Sequence, residues 1–423
     1  MSKAPEVLIV GGGAAGIIAA RRAADSGARV TLLEKNERLG MKILISGGGK
    51  CNLTHAGSME EIRRQFRPNE GRFLKPSFYR FTNHQFLEIL HSRGLRSYVR
   101  PDGRIFPVDP ANAKDVVALL TEYVEEAGVR IRYKSPVAGI DVTNGAVQGV
   151  RLDDGTTLRA SRVIVCTGGS SFPATGTTGD GWRWLSDIGH TIVPLRAALA
   201  PMYLADVHAD WSGVALRDVV LRARAGREGK EIAHWPGDLL FTHKGVSGPT
   251  ALGVSREVAE RDAGAVPSPS TLEADTIPAR SFEDLHAAFR KELTDNPRRT
   301  AASLVTPYVP SRLVDPLLSA AGVAGDTRGS QFPAKALKKL VSTLKGWPLG
   351  DVRHVPLERG EVVAGGVSLD EVDPQTMQSK IVSGLYLCGE VLDIAGPVGG
   401  YNLQAAWSTG YVAGDAAAKS ASQ

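Results

Sequence analysis

The chain has 423 residues, 43% hydrophobic and 22% charged. At about 150 residues per domain this gives two or three domains and a sizeable core. It excludes disorder as the main state, and three cysteines exclude a disulfide scaffold. Fifty Lys and Arg against 45 Asp and Glu leave a net charge of +5, which permits an acidic partner without demanding one.

No stretch approaches the roughly 20 apolar residues of a membrane span, so no membrane partner is expected. Residues 7–20 resemble a signal-peptide core only superficially, because Gly11, Gly12, Gly13 and Gly16 interrupt them. Unexported, thiol-bearing chains sit in a reducing compartment, and a bacterial-type cytoplasm is the expected location. Glycine is over-represented, 47 residues or about 11% against an average near 7%. With no collagen-like period, the excess belongs to particular loops.

In chain order, residues 6–10 (EVLIV) read as a buried parallel strand. The turn Gly11-Gly12-Gly13-Ala14-Ala15-Gly16 follows at once, then a helix over 17–27, a second strand over 28–33 and Glu34 at its end. The spacing has a mechanism. Gly11 makes the tight turn, Gly13 admits a pyrophosphate, and Gly16 lets helix and strand pack closely. The helix N-terminus presents free N–H groups to the phosphates, and Glu34 accepts hydrogen bonds from a ribose. Gly11, Gly13, Ala14, Ala15, Gly16, Glu34 and Lys35 are the dinucleotide-binding candidates of this unit.

The next loop, Ser46-Gly47-Gly48-Gly49-Lys50-Cys51-Asn52, carries three consecutive glycines, as a backbone passing close to a flat ligand requires. Lys42 and Lys50 balance phosphate charge there. Residues 61–104 hold ten Lys and Arg against four acids, interleaved with Phe66, Phe73, Phe78, Tyr79, Phe81, Phe86 and Tyr98. Basic plus aromatic suits RNA contact, and Thr82-x-x-Gln85 marks a helix start. Residues 137–142, 147–152 and 156–160 form a three-stranded meander, turning at Asn144-Gly145 and Asp154-Gly155. Residues 163–169 (VIVCTGG) and 384–390 (GLYLCGE) are strands running into glycine. Residues 196–245 are strand-rich, 248–346 mostly helical, and a helix from Tyr401 reaches about 418. Cys166 and Cys388 read as packing residues. With no C-x-x-C or His/Cys cluster, no metal is expected.

The glycine turn, the meander and the two later strands resemble the fingerprints of two-dinucleotide-binding flavoproteins, which implies FAD. Only one G-x-G-x-x-G follows a strand, so no separate NAD(P)H domain is expected. More specifically, 40–54 (GMKILISGGGKCNLT), 168–181, 241–250, 364–380 and 384–406 resemble the BaiN/RdsA family of bacterial FAD enzymes, also described as aminoacetone-oxidase-like. The resemblance implies an α/β fold. A Rossmann-type FAD-binding domain over 1–195 and 351–423 would carry an inserted β-rich domain, 196–247, completed by part of 351–367, and a helical subdomain, 248–350. It further implies that Lys42, Ser46, Gly47, Gly48, Gly49, Lys50, Asn52, Val137, Thr167, Gly168, Gly169, Gly389, Glu390, Gly399, Gly400, Asn402 and Leu403 bind the cofactor. Relatives commonly carry Arg where this chain has Lys50, which keeps the charge and loses the bidentate fork.

The activity implied is reduction of an activated C=C bond, uracil in ribosomal RNA or a conjugated enone, with FAD taking hydride from NAD(P)H. Cys51 is the candidate proton donor. The glycine-rich lead into the last helix would stabilise the reduced, anionic flavin by about 1–2 kcal/mol, with Asn402 and Gln404 as candidates for the ring oxygens. The rival activity is an FAD-dependent oxidase of a small aminoketone or amine, releasing peroxide.

Overall fold

The run EVLIV becomes the central strand of a five-stranded parallel sheet. The computed structural model describes residues 6–264 and 268–419; residues 1–5, 265–267 and 420–423 of the expected domain ranges lie outside the described residues. The sheet order is Leu385–Leu387, Val163–Val165, Glu6–Val10, Arg29–Leu33, Arg130–Arg132. Leu8 lies opposite Val163 on one side and Thr31 on the other. From the central strand the chain winds one way, then returns to wind the other. The order therefore reverses between Glu6–Val10 and Val163–Val165, and the crevice beyond their carboxyl ends is where such sheets bind ligands.

Two helices pack against one another beside this sheet. Ala14–Asp25 is alanine-rich, and Tyr401–Lys419 carries Gly410 and Gly414 one turn apart. A Cβ added at Gly410 would stand 2.3 Å from the Ala15 carbonyl oxygen, and one at Gly414 2.3 Å from that of Ala19. The backbones are in contact, which only glycine permits. Asp415, 2% exposed at its side chain, takes Arg22 at 2.6 Å, Lys419 at 2.9 Å and also Arg80, tying the pair to the helix Pro68–Arg80.

The meander forms as read, Val137–Thr143, Ala146–Leu152 and Thr157–Arg159, antiparallel throughout. The capping box at Thr82 and Gln85 is also present.

The chain forms two units, Met1–Leu195 with Glu361–Gln423, and Arg196–Gly360. The second contains a closed six-stranded barrel ordered Met202–Leu204, Gly245–Ser247, Glu231–Thr242, Ala215–Arg224, Thr271–Asp275, Trp347–His354. Two features depart from the expected division. The range 248–350 is not wholly helical, because Thr271–Asp275 pairs with Ala215–Arg224 and Trp347–His354 and sends Leu272 and Ala274 into the core. The range 351–367 divides: its start completes the barrel, while Val362–Val367 pairs with the strand that begins at Ile192.

Candidate active site

The turn after the central strand is shaped by its glycines. Gly11 has φ +104°, and a Cβ there would stand 2.5 Å from the Cys166 carbonyl oxygen. A Cβ at Gly16 would lie 1.9 Å from the Gly11 carbonyl oxygen. Gly13 differs: a Cβ there meets no atom within 4 Å. Gly11 and Gly16 are glycine for the protein's own packing, whereas the space beside Gly13 is open. Gly13 also caps the helix Ala14–Asp25, which has no side-chain cap and no acid in its first turn. Its free N–H groups and positive end are unneutralised, as an anion site requires.

Glu34 is 7% exposed. One carboxylate oxygen accepts the Gly12 N–H at 2.8 Å, the other the backbone and side-chain N–H groups of Asn36 at 2.8 and 2.7 Å. These bonds hold the acid beside the glycine turn. The Glu34 carbonyl accepts the Ser135 N–H at 3.0 Å, which brings Val137, at the start of the meander, to the same edge. Lys35 donates to Thr178 at 2.7 Å and to Asp180 at 2.8 Å.

After Val163–Val165, Thr167, Gly168 and Gly169 complete the crevice. Thr167 Oγ1 and Ser170 Oγ are buried with no hydrogen-bond partner. Orphaned buried hydroxyls cost about 1–3 kcal/mol each, so they fit a site awaiting a polar ligand. Nearby, Lys42 donates to both Glu390 oxygens at 3.0 and 2.8 Å and to Ser171 at 2.8 Å. Glu390 also accepts the Val363 N–H at 3.0 Å. Gly389 has φ +75° and donates to Thr409 Oγ1 at 3.0 Å. The open turn, the unneutralised helix end, the ribose-side acid and the orphaned hydroxyls together fit FAD.

The loop 46–52 and the lead into the last helix form one seam. Gly47, Gly48 and Gly49 all have positive φ, and Ser46 Oγ donates to the Ile43 carbonyl at 2.8 Å. With its amide turned so that both of its groups are satisfied, Asn52 donates to the Thr54 carbonyl at 3.1 Å and accepts the Gly400 N–H at 2.9 Å. Thr54 donates to Gln404 at 2.7 Å, and Trp407 to the Leu53 carbonyl at 3.1 Å. The His55 ring stacks on Tyr401 at 4.6 Å. Gly399 and Gly400 both have positive φ, and a Cβ at Gly400 would lie 2.6 Å from the Thr54 carbonyl oxygen. Residues some 350 positions apart thus frame one surface.

Several side chains are used differently from expectation. Asn402 spends its amide on its own loop, accepting the Gly396 N–H at 2.8 Å and donating to the Gly396 carbonyl at 2.9 Å. Gln404 is fully buried and held by Thr54, Ser408 and Phe81, so it does not reach a ring oxygen. Leu403 is half-buried on the first turn. Lys50 is half-exposed, 3.7 Å from Asp109. Cys51 has φ +61° and no exposed surface; burial pushes its thiol up to about 12. Cys166 and Cys388 are likewise buried and free. The aromatic component of 61–104 is corrected: Phe66, Phe73, Phe78, Phe81 and Phe86 are at most 6% exposed and fill the core. Phe86 stacks on Trp407 and Phe81 on Tyr411. Tyr79 and Tyr98, with Arg64, Arg72, Lys75, Arg93 and Arg96, remain exposed.

Sequence reasoning passed over Glu361. It stands two residues before Val363, whose N–H binds Glu390, and it feels the charges of Lys42 and Arg104. The sequence signal was slight, a single acid before the apolar run VVAGGV.

A Rossmann-type FAD-binding domain with this crevice defines an enzyme of the FAD-dependent oxidoreductase class. The chain belongs to the HI0933-like family, whose Rossmann-domain model matches residues 5–416. It is 30% identical to a ribosomal RNA dihydrouridine synthase of Escherichia coli over 413 residues, 96% of each chain. It is 32% identical to a 3-dehydro-bile acid delta(4,6)-reductase of Clostridium scindens over 415 residues, covering 97% of this chain and 98% of that one. Among solved structures, the 3-ketosteroid delta1-dehydrogenase of Sterolibacterium denitrificans shares the fold. Its TM-score is 0.52 at 13% identity, covering 98% of this chain and 99% of that one. Among the described residues, no helix is long and apolar enough to cross a membrane.

Proposed function

We propose that this enzyme reduces a C=C bond conjugated to a carbonyl, with NAD(P)H as electron donor and a uracil of ribosomal RNA or a small enone as acceptor. One observation carries the reading. Near-full-length relatives with different substrates, a dihydrouridine synthase and a delta(4,6)-reductase, both saturate a carbon–carbon double bond. The exposed cations of residues 61–104 suit an RNA acceptor through phosphate contact, now without a stacking role for the phenylalanines.

In this reading the open turn at Gly13 and the N-terminus of Ala14–Asp25 take the pyrophosphate. Glu34 takes the adenosine ribose, a role in which its carboxylate disfavours a 2′-phosphate. Val137 lies at the adenine edge, and Thr167, Gly168, Gly169, Lys42 and Glu390 lie along the ribityl and phosphate stretch. The seam of 46–52 with 399–403 holds the isoalloxazine, approached mainly by backbone, since Asn402 and Gln404 are already engaged. FAD bound there supplies two-electron hydride chemistry. The protein's part is to orient the acceptor, exclude water and deliver one proton.

Anaerobic titration tests the reading. NADPH or NADH should bleach the bound flavin, and dihydrouridine-free ribosomal RNA or an enone should restore the colour. A flavin that neither acceptor recolours, but that small amines bleach and air restores with peroxide, would establish the oxidase instead.

A further inference from the structure

We propose that Arg96, Tyr98 and Arg100 form the surface that holds an RNA acceptor, the arginines on its phosphates and Tyr98 stacked on a base beside the target uracil. This assignment rests on the C=C reductase reading above and selects the RNA arm of it. It starts from the ladder. Ser97–Val99 is the outer strand of a three-stranded antiparallel sheet ordered Thr54–His55, Arg104–Pro107, Ser97–Val99. Tyr98 lies opposite Phe106. The Val108 N–H donates to the Arg96 carbonyl at 3.0 Å and the Arg100 N–H to the Arg104 carbonyl at 2.8 Å, which extends the ladder one pair each way. Side chains alternate along a strand, so Arg96, Tyr98 and Arg100 share one face.

That face meets the loop 46–52 through Phe106. The Arg100 guanidinium stands 3.9 Å from the Phe106 ring centroid, and the Tyr98 ring 6.4 Å from it. Phe106 is itself 2% exposed, and a Cβ at Gly47 would lie 2.8 Å from its ring. One buried ring is thus shared by the row and by the loop that we assign to the isoalloxazine. Beyond Gly47 the loop is open: a Cβ at Gly48 meets no atom within 4 Å, and Lys50 is half-exposed.

The chemistry of the row selects its occupant. Among the described residues, Arg96 and Arg100 make no ion pair. Of the acids in the adjoining turns, Asp102 is held by Arg104 at 2.6 Å, and Asp109 faces Lys50 at 3.7 Å. Edge strands carry charge to block pairing with other chains. That calls for cations, but not for a tyrosine between them that is 37% exposed. Unpaired cations flanking an open aromatic ring suit a single-stranded nucleic acid, with phosphates on the charges and a base on the ring. Same-face residues repeat about every 6.8 Å along a strand, close to the spacing of consecutive phosphates in an extended nucleic acid strand. A neutral enone offers the arginines nothing to bind.

The test measures binding of a fluorescent, uridine-containing single-stranded RNA oligomer to the holoenzyme over a range of salt concentrations. Arg96→Gln should weaken binding several-fold and flatten the salt dependence by about 0.7 in log–log slope, the loss of one phosphate contact on a single strand. Tyr98→Ala should weaken binding about tenfold with the slope unchanged, within the range of one lost base stack. Tyr98→Phe, which keeps the ring, should bind within about twofold of wild type. Flavin content and melting temperature check that each variant folds. Variants that bind RNA with wild-type affinity and slope, or a wild type that binds polyglutamate as tightly as RNA, would overturn the assignment. The reductase reading fails differently: RNA that binds through this row yet never recolours the NAD(P)H-reduced flavin would defeat that reading, while the losses in the variants still identify the surface.

Discussion

Two glycines three positions apart in one turn make opposite predictions. A side chain at Gly13 enters space that no protein atom occupies, at an ordinary φ of −81°. Gly13→Val should leave the apo-protein's stability within about 0.5 kcal/mol of wild type. It should weaken FAD binding at least about tenfold, roughly 1.4 kcal/mol, as measured by flavin fluorescence titration. Gly16→Val meets the Gly11 carbonyl and should destabilise the fold itself by about 1–3 kcal/mol, visible in denaturant melts without cofactor. The fingerprint was legible because each glycine answers a steric demand that leaves a trace in spacing. The engagement of Gln404 was not legible: it is held by Thr54, 350 positions away, and no local spacing encodes that partner. Thiol chemistry gives a further check at this scale. All three cysteines are buried, and a thiol held near 12 carries negligible thiolate at pH 8. A disulfide reagent should find no fast-reacting thiol in the native protein and all three after unfolding.

At the scale of elements, the contact between Ala14–Asp25 and Tyr401–Lys419 joins the two ends of the chain and sets the crevice. Gly414→Leu would push a side chain into the Ala19 carbonyl and should cost about 3 kcal/mol or more, with flavin retention lost in parallel. Asp415 adds an electrostatic clasp. Burial raises its carboxyl, but Lys419 and Arg22 outweigh burial and leave it below the ordinary aspartate value. A group depressed in the folded state contributes stability above its unfolded value, about 3.9, and loses it as pH falls through the folded value. Asp415→Asn should therefore cost about 2–3 kcal/mol near neutral pH. That is under the roughly 3–5 kcal/mol of a fully buried pair, because Arg22 and Arg80 reach solvent. The variant's deficit should shrink in acid, as paired urea melts at several pH values will show. The helices and the meander were readable from period, caps and Asn-Gly turns. The strand Thr271–Asp275 was not, since its five residues TLEAD carry no strong alternation and helix-forming segments surround them. Only barrel closure gives it a strand's role.

For the whole molecule, the unit holding the crevice draws on residues from both ends of the sequence, and the family match spans 5–416. The class of chemistry was accessible from motifs for that reason: a glycine turn followed by a strand-end acid recurs in Rossmann-type dinucleotide-binding units. The acceptor imposes no comparable signature. The basic run 61–104 illustrates the difficulty, since five of its phenylalanines proved to be core and only a subset of its cations faces outward. Composition cannot separate a residue that covers the core from one that meets a partner.

The central claim is that hydride passes from NAD(P)H through this crevice into a carbon–carbon double bond. The most direct measurement is an anaerobic single turnover of the NAD(P)H-reduced enzyme, followed by mass analysis of the acceptor. We predict one saturated product per flavin, with a label from deuterated solvent on the carbon next to the carbonyl, as the flavin recolours. An acceptor recovered unchanged, with the flavin bleached until air enters, would contradict the account.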